Sequence, residues 1–179
     1  MVRHKNRWLL VKVELADDIR NNNSNNNHKK AVQQPSSFPS KIEFIIRLRR
    51  TVAWCFGIEG QAACDAQVKF CDPDTKLVVV RVPRDACGRI RAALTLLLTR
   101  KQMLSLGETT SKSQDFQASV LSVHGSARTT KIALFRLLRK LYRIEMEESR
   151  KLFPTDDKLE KKLCRALQEQ LALVQNNMN

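Results

Sequence analysis

At 179 residues and 42% apolar side chains, the chain can bury one core and is too apolar for global disorder. Its 32 Lys and Arg outweigh 18 Asp and Glu, a formal charge of +14, yet from Glu145 onward the two signs number six and seven. The basic excess therefore belongs to the first 144 residues. It suits a polyanion, with plain solubility as the blander reading and a membrane surface as the weaker one.

Arg7 to Leu15 alternates, with Leu9, Val11, Val13 and Leu15 on one face and Lys12 and Glu14 on the other, which predicts a half-buried strand. The stretch 17–40 contains an asparagine run over 21–27 and is too polar to pack, so it reads as a low-complexity loop insertion. Pro39-Ser40 opens a helix. Its apolar stripe is read as Ile42, Ile45, Ile46, Val52, Ala53 and Phe56, with Arg47, Arg49 and Arg50 opposite and Gly57 as its end. A second strand sets Ala62, Cys64, Ala66, Val68 and Phe70 against Asp65, Gln67 and Lys69, and Asp72-Pro73-Asp74 makes a tight turn. Leu77 to Val82 is almost continuously apolar, hence a central strand.

Pro83 suits the first turn of a second helix, whose buried stripe is Ala86, Ile90, Ala93, Leu94, Leu97 and Leu98. After a loop over 107–114, Phe116 to His124 makes a fourth strand with room for a bulge. Gly125-Ser126 ends it and begins a long helix to about Glu148, and a charged helix extends from about Thr155 to Val174. The order β-α-β-β-α-β plus two helices is an α+β, ferredoxin-like split β-α-β sandwich. Residues 1–148 make that domain, interrupted at 17–40, and 149–179 make a charged helical tail.

Cys55, Cys64, Cys71, Cys87 and Cys164 show no C-x-x-C spacing, and the only histidines are His4, His28 and His124. That argues against a zinc site and a disulfide framework. With no signal peptide and no 18-residue apolar run, the chain is expected to be soluble, intracellular and free of a membrane partner. No nucleophile motif, phosphate-binding glycine loop or paired carboxylates stand out, so no catalysis by this chain alone is expected.

Three patterns point to RNA instead. Arg3, Lys5 and Arg7 share one parity, so an extended arm projects them as a row; Trp8 beside them can stack on a base or simply pack. Gly125-Ser126-Ala127-Arg128 sits at a strand-to-helix junction, where first-turn amides can hold a phosphate, or where Ser126 is only a cap. Lys131, Arg136, Arg139, Lys140 and Arg143 then load the same helix with positive charge. Arg81, Arg84, Arg89 and Arg91 form another cluster, suited to phosphate or to an acidic protein.

The opening Met1-Val-Arg-x-Lys-x-Arg-aromatic-Leu-Leu10, then Gly60-x-Ala-x-Cys64, then Val123-x-Gly-Ser-x-Arg128 occur in order at matching strands. Together they resemble the Pop-five (processing of precursors) protein subunits of ribonuclease P and RNase MRP, over about 1–16 and 40–145. The resemblance implies the same ferredoxin-like fold and a non-catalytic role in the nucleus and nucleolus. It implies pairing with a TIM-barrel-like subunit and support of ribonuclease P RNA and MRP RNA in precursor-tRNA and precursor-rRNA processing. No cofactor is expected on the protein, with Mg²⁺ on the partner RNA. RNA contact is implied for Arg3, Lys5, Arg7, Gly125, Ser126 and Arg128, to which the charge pattern adds Lys131. Trp8, Ser126 and Ala127 depart from the family's usual tyrosine, threonine and larger aliphatic residue. The insertion and the near-neutral tail inherit nothing. The alternative is a ferredoxin-like module for protein interaction or single-stranded RNA outside these particles.

Overall fold

The computed structural model describes residues 5–15, 38–99, 102, 115–152 and 157–177. Arg3, most of the 17–40 insertion and the 107–114 loop lie outside the described residues. The chain divides into two compact units, Met1–Val123 and His124–Asn179.

In the first unit, β1 (Asn6–Leu15), α1 (Lys41–Ala63), β2 (Gln67–Asp72), β3 (Leu77–Pro83), α2 (Cys87–Thr95) and β4 (Phe116–His124) occur in the expected order. The sheet runs β2-β3-β1-β4 and is antiparallel, the arrangement of a ferredoxin-like split β-α-β sandwich. Alternation decides which face is covered. Leu9, Val11, Val13 and Leu15 of β1 join Val78, Val80 and Val82 of β3 and Phe116 and Ala118 of β4 in the main core. Phe44, Leu48 and Val52 of α1 and Ile90, Ala93 and Leu94 of α2 pack onto that face. Leu10, Phe70, Leu77 and Val79 are also buried, on the opposite sheet face.

Ser40 starts α1 through a capping box: its hydroxyl accepts the Glu43 N–H at 3.2 Å, and the Glu43 carboxylate accepts the Ser40 N–H at 2.8 Å. The buried stripe of α1 is nevertheless Phe44, Arg47, Leu48, Thr51 and Val52, not the isoleucine set expected. Ile42 (69%), Ile46 (44%) and Phe56 (39%) are exposed. Arg47 is inside because its guanidinium lies 4.2 Å from the Phe116 ring centroid and 3.8 Å from Asp115, which lets a cation occupy a core position. Phe116 in turn stacks on Phe44 at 5.8 Å. Thr51 fits the same stripe by donating to the Arg47 carbonyl at 2.9 Å and accepting the Leu98 N–H at 3.2 Å.

Gly57 does not end α1. It kinks the helix, at φ 70° and ψ −175°, a conformation that favours glycine, and helix resumes to Ala63. The second strand is accordingly shorter than the alternation suggested. Ala62 belongs to the helix, and a bulge between Val68 and Phe70 turns Phe70 to the other face. The Asp72 turn is held by its carboxylate, which accepts both the N–H and the hydroxyl of Thr75. Pro83 closes β3 rather than opening a helix, and α2 begins at Cys87. Burial in β4 alternates along its whole length: Phe116, Ala118, Val120, Ser122 and His124 are the more buried positions, and Leu121 and Val123 are exposed on the other face, so the parity set by Phe116 holds to the end of the strand.

In the second unit, α3 (Ala127–Leu152) and α4 (Asp157–Asn177) pack together. Among the described residues the buried side chains are Thr130, Leu134, Leu138 and Tyr142 on α3 and Gln170 and Val174 on α4, each at one-turn spacing. The Lys131 ammonium, near the start of α3, donates to the Gln175 carbonyl in the last turn of α4 at 3.5 Å, so the pair runs antiparallel.

Candidate nucleic-acid interface

The first unit gathers cations where β1 begins. Lys5 is exposed, and its carbonyl accepts the Arg84 N–H at 2.9 Å, which ties the arm to the turn after β3. Arg7 is half-buried opposite Val82, at the end of the helix-covered face. Trp8 faces the other way, opposite Arg81, and is half-buried rather than free. In the amide orientation that satisfies both groups, the Asn6 oxygen accepts from the Arg81 guanidinium at 2.8 and 3.3 Å. Two basic runs far apart in sequence thus share one end of the sheet because β1 and β3 pair antiparallel. Sequence reading kept them separate, and the register of two central strands is the signal that joins them. Arg89 lies close enough to Cys64 to lower its thiol pKa, though burial of that thiol outweighs it and pushes the value up.

The second unit holds the junction. Gly125, Ser126 and Arg128 are exposed. The Ser126 hydroxyl accepts the Thr129 N–H at 3.2 Å, and its carbonyl accepts the Thr130 N–H at 3.2 Å and the Thr130 hydroxyl at 2.8 Å. Ser126 is therefore a working N-cap, and an anion here would meet the amides of Ala127 and Arg128. Lys131 is half-buried and already serves the C-terminal carbonyls of α4. Arm and junction lie in different units, and Arg3 lies outside the described residues.

A second feature went unread in the sequence because the stripe of α1 was assigned to the wrong face. Ile42, Ile46, Trp54, Phe56 and Ile58 are all exposed along α1. Beside them is a hollow of about 380 Å³ lined by Arg49, Ile58, Gln61, Ala62, Cys64 and Asp65. The polar Thr51 and the charged Arg47 at one-turn spacing hid the true core face, so only packing could reveal it. Among the described residues no group of three His, Cys, Asp or Glu side chains could hold a metal, and no helix is long and apolar enough to cross a membrane.

Fold and site together define a small ferredoxin-like α+β protein with cations concentrated at one end of its sheet and along the helix after it. The model of the Rpp14/Pop5 family, a family of ribonuclease P proteins, matches residues 7–135, and the chain belongs to that family. Among solved structures it is similar to a chain in the cryo-EM structure of yeast ribonuclease MRP, with 14% identity and a TM-score of 0.43, covering 84% of this chain and 98% of that one. No curated protein matches it in sequence.

Proposed function

We propose that this chain is a non-catalytic subunit of the ribonuclease P and RNase MRP ribonucleoproteins of the nucleus and nucleolus. There it would support the catalytic RNA during maturation of precursor-tRNA 5′ ends and processing of precursor rRNA. The family match over residues 7–135 carries this reading. The cations at the start of β1 supply its mechanism. Lys5 and Arg7, with Arg3 ahead of them, release counterions from RNA phosphates, so an RNA active site that needs Mg²⁺ folds against less charge repulsion. Gly125 and Arg128 add a phosphate seat at the first turn of α3, where Ser126 holds the backbone and leaves two amides open.

The protein needs no cofactor in this role, because the Mg²⁺ belongs to the RNA. The exposed apolar residues of α1 suit the contact with a protein neighbour in the particle, such as the TIM-barrel-like subunit. The same face is what favours the second reading, a protein-interaction module outside these particles. A single-strand RNA reader has less support, since Trp8 is the only aromatic on the two central strands. Sequencing the RNA that co-purifies with the tagged protein tests the proposal. Ribonuclease P and MRP RNAs should dominate, and their absence from a soluble, folded preparation overturns it.

A further inference from the structure

We infer that α3 carries a duplex-RNA grip of its own, formed by Arg128, Arg136, Arg139, Lys140 and Arg143. This deepens the subunit reading above and rests on it. At 100° per residue these five fall within an arc of about 120°, and they span about 22 Å of helix. All five are exposed, and none has an ion-pair partner among the described residues. No carboxylate occurs from Ala127 to Ile144. Four of the five, from Arg136 on, lie beyond the segment matched by the family model.

The spacing disfavours the free helix. Arg136 with Arg139 and Lys140, and Arg143 with Arg139 and Lys140, are like-charge pairs at three or four residues, each destabilising. The neighbouring helix of the same unit is built differently: on α4, exposed Arg165 has Glu169 one turn on. A row of cations without counter-charge is relieved by a polyanion, and a row about 22 Å long can meet several phosphates at once.

Two observations choose the duplex. Leu134, Leu138 and Tyr142 of α3 are buried, and its exposed apolar residues are split, Ile132 within the basic arc and Leu141 and Ile144 beyond it, which leaves no continuous face for a membrane. Its basic face presents no aromatic side chain, since Phe135 is half-buried and Tyr142 buried, so it lacks the stacking platforms of single-strand binders. Glu145, Glu147 and Glu148 come next, all exposed, so the charge reverses and the RNA must leave the helix near Arg143.

The test uses the full chain and a 20-base-pair RNA duplex, with affinity measured by anisotropy from low to physiological salt. Arg136→Gln, Arg139→Gln and Arg143→Gln together should weaken binding at least tenfold at low salt. They should also reduce the slope of log K against log salt by about 2 to 3, one for each lost phosphate contact. Lys161→Gln, Lys162→Gln and Arg165→Gln on α4 remove the same charge and should leave affinity within about twofold. An α3 loss no larger than the α4 loss overturns the grip, as does tighter binding to a single strand of equal length. If the wild-type chain recovers ribonuclease P and MRP RNAs yet ignores the duplex, the grip alone fails. If it recovers neither RNA, the subunit reading has failed first.

Discussion

Arg47 in the first unit and the arginines of α3 in the second are used in opposite ways. In the first, Arg47 is 6% exposed, laid over Phe116 and facing Asp115, so its charge is absorbed by the packing of α1 on β4. In the second, Arg136, Arg139 and Arg143 stand in solvent while apolar residues of α3 do the packing. Net charge therefore overstates what is free to meet RNA, and position along the stripe decides what each cation does. A change at Arg47 should be read in stability, whereas a change on the α3 stripe should be read in binding.

Phe44 is fully buried and stacked on Phe116. Phe44→Ala should cost about 3 to 5 kcal/mol in a denaturant titration, since it removes a large core side chain and half of a ring pair. A loss under about 1 kcal/mol means that α1 is not seated on the sheet as described. Arg47 ranks second. Arg47→Ala should cost about 2 to 4 kcal/mol by leaving a void against Phe116 and removing the cation–π contact, and Arg47→Met should recover part of that by refilling the volume. Neither variant should change the salt slope of RNA binding, and a slope reduced by about 1 would move Arg47 into the interface.

These contrasts also explain how much was legible beforehand. Strand alternation in Leu9 to Leu15 and the apolar run Leu77 to Val82 sufficed for two of the strands, because a period of two with β-branched residues admits few other readings, whereas the mixed parity of Phe116 to His124 identified a strand but left room for a bulge. The capping signal at Ser40 was equally plain. The stripe of α1 was not, since a cation–π contact and a side-chain-to-backbone hydrogen bond place Arg47 and Thr51 inside, and no local pattern announces either. Gly57 misled for a related reason: glycine marks a helix end and a helix kink alike, and the packing of residues 58–63 decides between them. Of the site, the charged residues were visible singly, but the meeting of Lys5 with Arg84 and of Asn6 with Arg81 needed the β1–β3 register.

Ser126 separates cap from binding site at smaller scale. Ser126→Ala should cost about 1 kcal/mol by removing the acceptor for the Thr129 N–H. Ser126→Asp keeps a cap of equal quality and adds a negative charge where a phosphate would sit, so stability should hold while RNA affinity falls several-fold. If the aspartate variant binds RNA as tightly as wild type, the junction is only a helix start.

A last contrast sets two thiols against each other, one in each unit. Cys71 donates weakly to the Pro39 carbonyl at 3.7 Å, joining β2 to the residues that open α1. Burial pushes its thiol up to about 11, with Asp72 adding to the rise and Lys41 opposing it. Cys164 on α4 is exposed. Because the thiolate is the nucleophile, only about one Cys71 in a thousand is reactive at pH 8. Iodoacetamide at that pH should therefore label Cys164 at least about a hundredfold faster. The sign of the linkage comes from the same shift. Folding favours the neutral thiol, so its contribution to stability is complete below the ordinary cysteine value and is lost as pH rises toward 11. Labelling of Cys71 should climb about tenfold per pH unit over that window, and labelling at pH 8 as fast as Cys164 would mean that the seam between β2 and the start of α1 stands open.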